Sequence, residues 1–181
     1  MTQQLLQEVS SKDLLKRADP KTKARSEPLE TFLVGMKGNI LTFSTKSGTD
    51  PANRWIQKVQ VLGLARALRP VLDGYAGAKA LAPIQRALKG DIKVACACPA
   101  QKYWGFQYIG TVEGYHLGGK QTHAPDIRNP KRKGSVCKHL VKVLQVLLFQ
   151  GARVTSLANK QYIEPVVKQA VGGRTWKSAG S

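Results

Sequence analysis

An α+β fold, a small antiparallel sheet with packed helices, is what this sequence predicts. Three observations point there. Thr31 to Met36 and Asn39 to Thr45 are β-rich runs on either side of Lys37-Gly38, the pattern of a hairpin whose glycine supplies an unusual backbone angle. Ala76 to Leu88 and Lys138 to Phe149 repeat apolar residues at helical spacing. The chain has 181 residues, 42% of them hydrophobic, and a chain of that length buries roughly 70% of its unfolded surface, enough for a real core.

The elements follow in order. Residues 3–18 carry Leu5, Leu6, Val9, Leu14 and Leu15, a short helix pattern stopped by Pro20. Residues 19–28 lack apolar periodicity and read as a linker, so residues 1–27 form an N-terminal arm. After the hairpin, Ser47 to Pro51 is a loop. Arg54 to Leu62 fits two periods: Trp55, Val59 and Leu62 suit a helix, whereas Trp55, Gln57, Val59 and Val61 form a strand face with one polar member. β-branched and aromatic residues dominate, which favours a third strand. In Ala76 to Leu88, Leu81, Ile84 and Leu88 share a face, Pro83 marks the first turn, and Gly90 ends the helix. Asp91 to Ala97 is a strand. Leu140, Val143, Leu144, Leu147 and Leu148 give Lys138 to Phe149 a buried face, and Gly151 ends it. Ala158 to Val171 is a weaker helix interrupted by Pro165, and the last ten residues are a tail. Residues 28–150 are therefore the body, and 151–181 a C-terminal helix and tail.

Charge and cysteine usage narrow the functional classes. The net charge is +18, from 29 Lys plus Arg against 11 Asp plus Glu. The excess is spread along the chain. Residues 90–119 are balanced, with Lys93 and Lys102 against Asp91 and Glu113, while residues 120–149 hold seven bases against Asp126. The only dense cluster is Lys131, Arg132 and Lys133. A diffuse basic surface suits an acidic surrounding, whether phosphate or protein, better than sequence-specific reading. No secretory signal pattern stands at the N-terminus. The longest apolar stretches, such as Val146 to Phe149, fall far short of the ~20 residues a membrane span needs. Three cysteines, an odd number, argue against a disulfide scaffold and for a reducing cytoplasm.

All three cysteines enter one constellation, Cys96-Ala97-Cys98 and Cys137-Lys138-His139, with 38 residues between its halves. Three thiolates and an imidazole are a closed tetrahedral set of the kind structural zinc takes. Cys96 and Cys98 lie two apart on the predicted strand, so their sulfurs share a side. Cys137 and His139 stand at a helix start, where the dipole favours a thiolate. His116 and His123, both in the intervening segment, are the alternative fourth ligands. A closed set leaves no position for a catalytic water. No phosphate-binding loop, serine-hydrolase elbow, zinc-protease helix or deaminase signature is present, so no catalytic residue and no small-molecule substrate are expected.

Tyr103, Trp104, Phe106, Tyr108 and Tyr115 fall within thirteen positions. Rings so placed cover a metal site and fill a small core. They also offer faces for base stacking. On that second reading Lys131, Arg132, Lys133 and Lys138 contact phosphate while Trp104 or Tyr103 stacks. A segment of 38 residues is long for a connection without structure of its own, so part of it is expected to be strand or functional loop.

The spacing C-x-C…C-x-H at Cys96, Cys98, Cys137 and His139 resembles the SWIM zinc-binding motif, a module that binds nucleic acid or protein, here with a longer intervening segment. The strings CACPAQKYWGFQYIG (96–110) and IRNPKRKGSVCKHLVKVL (127–144), with GNILTFSTKSGTDPANRW (38–55) before them, are similar to virion structural proteins of tailed bacteriophages over residues 28–150. That resemblance implies a zinc-stapled subunit of capsid, connector, tail or baseplate, made in the host bacterial cytoplasm and located in the virion. Its arm and tail would contact other virion proteins, and packaged DNA would be within reach.

Overall fold

The structure, a computed structural model, describes residues 8–48, 50 and 52–165. It is an α+β fold in which one four-stranded antiparallel sheet packs helices on one face. Two helices come first, α1 (Ser11–Arg17) and α2 (Pro20–Ala24). Then β1 (Thr31–Lys37), β2 (Ile40–Lys46) and β3 (Arg54–Val61) form a meander, turning at Gly38 with φ +59°. Two short helices, α3 (Leu64–Ala67) and α4 (Arg69–Leu72), lead to α5 (Ala78–Leu88). β4 (Ile92–Cys96) completes the sheet in the order β1-β2-β3-β4. The remainder is helical: α6 (Pro99–Tyr103), α7 (Phe106–Val112), α8 (Lys138–Leu147) and α9 (Gly151–Ala158), followed by a π-helical turn Asn159–Ile163.

The hairpin, the third strand and the strand before the cysteines all stand where the sequence places them. The strand period resolves the ambiguity at 54–62: Gln57, Val59 and Val61 are buried while Ile56 and Lys58 are exposed, an alternation a helix cannot produce. The core joins the inner sheet face, including Leu41, Phe43, Val59, Val61, Ile92 and Val94, to Ile84 and Leu88 of α5 and to Leu140, Val143, Leu144 and Leu147 of α8.

Several boundaries differ from the sequence reading. The expected linker at 19–28 contains α2, because Asp19 caps it by accepting from the Thr22 N–H at 3.0 Å and Pro20 stands in its first turn. α2 buries none of its side chains, so it leaves no apolar period to read. Pro83 sits inside α5 rather than in its first turn. Gly151 begins α9 instead of ending α8, which stops at Leu147. A Cβ at Gly151 would stand 2.9 Å from Leu81 Cδ1, so glycine there permits α9 to press on α5. The 99–136 segment supplies α6 and α7. Its one strand-like contact is an isolated parallel bridge between His116 and Val94, where the Val94 N–H donates to the Tyr115 carbonyl at 2.8 Å.

Residues 8–27 lie against the body. Leu14 is fully buried, its carbonyl accepts from Ser135 Oγ at 2.8 Å, and the Ile92 N–H donates to the Val9 carbonyl at 3.0 Å. Residues 1–7 and 166–181, which include the tail, the end of the expected 158–171 helix and the outermost part of the arm, lie outside the described residues. No single helix among the described residues is long and apolar enough to cross a membrane.

Candidate metal centre

Cys96, Cys98, Cys137 and His139 converge where β4 ends and α8 begins. Their ligand atoms all lie within 4.8 Å of one another. β4 is held to β3 with Cys96 opposite Gln57, and the Ala97 N–H still donates to the Ile56 carbonyl at 3.0 Å. The strand itself stops at Cys96. Cys98, expected on it, is instead the N-cap of α6, with Pro99 opening that helix. Its backbone remains extended, with ψ 148°, and its N–H donates to Cys96 Sγ at 3.5 Å. Cys137 is the N-cap of α8, and His139 follows in its first turn. Neither cysteine cap makes a side-chain capping bond. Two helix starts therefore face the cluster, and their dipoles favour negative sulfur there.

Burial makes the cluster chemically unusual. Cys98, Cys137 and His139 are buried and Cys96 is half-buried. Both ring nitrogens of His139 are enclosed without a hydrogen-bond partner, an arrangement that costs free energy unless a ligand bond satisfies one of them. A tetrahedral ion with metal–sulfur bonds of about 2.3 Å needs neighbouring donors about 3.7 Å apart, and the 4.8 Å envelope accommodates that. These four side chains can hold a metal ion. His116 and His123 do not join them: His116 is half-buried beside β4, and His123 is exposed with its ring against Thr122 Oγ1.

Without an ion the three thiols divide their protons unevenly. Burial pushes Cys96 up to about 12 and Cys137 well above its ordinary value. Cys98 is held far down, because its thiolate accepts from the Cys137 and Cys96 thiols. The helix dipole at Cys137 thus does not by itself outweigh burial and two neighbouring sulfurs. A metal must displace the protons that Cys96 and Cys137 keep. The sign follows directly: acid competes with the ion, and affinity rises with pH. Two protons released per metal correspond to about a hundredfold in apparent affinity per pH unit. Calorimetry between pH 7 and 8.5, in buffers of different ionisation enthalpy, measures this number. A value near zero would contradict the assignment.

A supporting shell holds the donors, and part of it is not read from the sequence as functional. Gln57, fully buried, donates to Cys96 Sγ at 3.6 Å and to the Trp55 carbonyl at 2.9 Å. Thr45 Oγ1 donates to Gln57 Oε1 at 2.7 Å and lies 2.8 Å from Thr31 Oγ1. Two hydroxyls, on β1 and β2, thereby orient the β3 amide toward sulfur. Gln101, 2% exposed, accepts from the Cys137 N–H at 3.4 Å. The Trp55 ring stands 6.3 Å from that of His139. The polar member of an otherwise apolar strand face, Gln57, was the available signal. Replacing it with Leu is expected to weaken metal affinity about 10–100-fold, measured by chelator competition. Unchanged affinity would reduce Gln57 to a packing role.

The aromatic residues divide between two tasks. Phe106 and Tyr115 enter the core, and the Tyr115 hydroxyl donates to the Ser135 carbonyl at 2.8 Å. Tyr103 and Trp104 are 58% and 43% exposed. The amide of Asn129 donates to the carbonyls of Trp104, at 3.2 Å, and Lys133, at 2.9 Å, and its oxygen accepts from the Lys133 N–H at 2.9 Å. This clamp brings the exposed Lys131–Lys133 turn beside Trp104, and the Arg132 guanidinium lies 5.2 Å from the Tyr108 ring centroid. Lys138 does not join that group. Its Nζ reaches the Gly48 loop, 3.3 Å from where a Gly48 Cβ would stand.

Comparison with known proteins finds no matching family model, no matching curated protein and no matching solved structure.

Proposed function

We propose that this protein is a non-catalytic assembly subunit whose fold is stapled by zinc, and that, as the phage-like strings suggest, its assembly is a tailed-bacteriophage particle. The observation that carries the reading is the convergence of all three cysteines and one histidine at the seam between sheet and C-terminal helices. Three soft thiolates and one imidazole suit zinc above harder ions. Four protein donors complete a tetrahedron and leave no position for a reacting water, so the ion would join β4 to α8 rather than activate a substrate. In that role zinc supplies folding free energy, and the chain's own surface supplies contacts. The diffuse charge of +18 fits acidic neighbours, whether other virion proteins or packaged DNA.

The test is to establish whether a phage genome carries this sequence, a gene outside any phage overturning the reading, and then to purify that phage's particles, wash them in high salt with nuclease, and quantify the chain and its zinc. Retention at a fixed copy number with one zinc per copy supports the reading. Recovery of the chain only in the soluble host fraction would overturn it.

A second reading, nucleic-acid binding, is favoured by the Asn129 clamp, which sets the exposed Trp104 beside the Lys131–Lys133 turn. Stacking plus phosphate contact is the usual combination for single strands. Affinity for DNA would then fall steeply with salt.

A further inference from the structure

Among the described residues, the sheet has a face the helices leave bare. Phe32 and Val34 of β1 are each 53% exposed, and Ile56 of β3 is 40% exposed. Cross-strand register makes them one patch. Phe32 stands opposite Ser44, and Ser44 opposite Ile56. With strands ~4.8 Å apart, the Phe32 and Ile56 side chains rise from points about 10 Å apart on the same surface. Val34 leaves β1 on that face at the bulge between Leu33 and Gly35. Isolated exposed apolar residues are ordinary, but a contiguous group ringed by polar ones marks an interaction surface.

The ring is cationic. Alternation from Ile56 puts Arg54 and Lys58 on the same face, and the pairings Lys46 with Arg54 and Gln60 with Lys93 add two more bases. The Arg54 guanidinium donates toward Ser44 Oγ and lies 5.8 Å from the Phe32 ring centroid. None of the strand residues on this face is acidic; Glu30 stands just before β1. β1 is also the terminal strand of the sheet.

We infer that this face docks a protein partner that presents apolar side chains flanked by carboxylates. Charge complementarity selects that chemistry. A second copy of the chain would bring the same four cations against these four. Nucleic acid would find one ring, already stacked by Arg54, and two aliphatic side chains, where base stacking needs open aromatic faces. This inference rests on the assembly reading and deepens it by naming a contact surface and the character of the neighbour.

The experiment titrates the ¹⁵N-labelled, zinc-loaded full chain with the peptide Glu-Glu-Val-Leu-Val-Glu-Glu. Parallel titrations use Glu-Glu-Ser-Ser-Ser-Glu-Glu and single-stranded oligothymidylate. Saturable shifts at the amides of Phe32, Val34, Thr42, Ser44 and Ile56 are expected with the first peptide, and binding at least about tenfold weaker with the second. The double substitution Val34→Ser and Ile56→Ser should weaken the first peptide by a similar factor with zinc content unchanged. Equal binding of the two peptides, shifts confined to other faces, no binding, oligothymidylate binding tighter at this face, or self-association through it would each overturn the proposal. Peptide binding here by a protein absent from particles would remove only the assembly reading. A particle-bound protein whose bare face ignores the peptide would remove only this inference.

Discussion

Cys137→Ser is expected to abolish stoichiometric zinc binding and to lower the melting temperature of the zinc-supplied protein by about 8–16 °C. A ligand at a thousand times its dissociation constant stabilises the folded state by about 4 kcal/mol, and 1 kcal/mol shifts the melting of a domain this size by roughly 2–4 °C. Serine keeps the shape at position 137 but not the soft anionic donor, and the site loses its only contribution from the α8 N-cap. The remaining donors, Cys96 and Cys98 from the β4–α6 turn and His139 from α8, no longer close a tetrahedron. Differential scanning calorimetry with metal analysis reads both effects. The variant should melt with the metal-stripped wild type. A variant that melts with the zinc-loaded wild type would show that the ion does not hold this fold.

Gly105→Ala is expected to destabilise the protein by about 2–4 kcal/mol while leaving zinc bound. Gly105 joins α6 to α7 with φ +73°, a left-handed backbone that costs an alanine about 1 kcal/mol. A Cβ there would also stand 2.1 Å from Pro125 Cγ and 2.4 Å from Pro125 Cβ. A proline ring cannot swing aside as a long side chain does, so the loop carrying it must move, and displacement of that kind costs a further 1–3 kcal/mol. The Asn129 clamp on Trp104 and Lys133 follows Pro125 in the same loop, so the amides of 126–129 and 131–133 should shift together. Chemical denaturation with zinc analysis checks this. Loss of zinc along with stability would mean that the loop and the metal centre form one cooperative unit. An unchanged midpoint would show that the loop yields freely.

The metal cluster was legible because it is local twice over. Cys96 and Cys98 flank one residue, Cys137 and His139 flank another, and each pair sits at the end of an element with a clear apolar period. The hairpin and β3 were legible for the same reason, since alternating burial at Val59 and Val61 is printed in residue type. What could not be read depends on contacts distant in the chain. α2 has no buried side chain and is marked only by Asp19 and Pro20. Gly151 looks like a helix stop until Leu81 stands against it. Cys98 looks like a strand residue because it remains extended while capping a helix. Lys138 belongs by sequence with Lys131–Lys133, yet lies by the Gly48 loop, because α8 carries it away from that turn. Gln57 shows in the sequence as a polar residue in an apolar row, but its role needs Cys96 opposite it.

X-ray absorption at the zinc edge, on the full chain purified without chelator, tests the zinc staple most directly. One zinc per chain is expected, with three sulfur neighbours at about 2.3 Å and one nitrogen at about 2.0 Å, from Cys96, Cys98, Cys137 and His139. Substoichiometric metal, a shell dominated by oxygen, or a different metal with zinc unable to displace it would contradict the account.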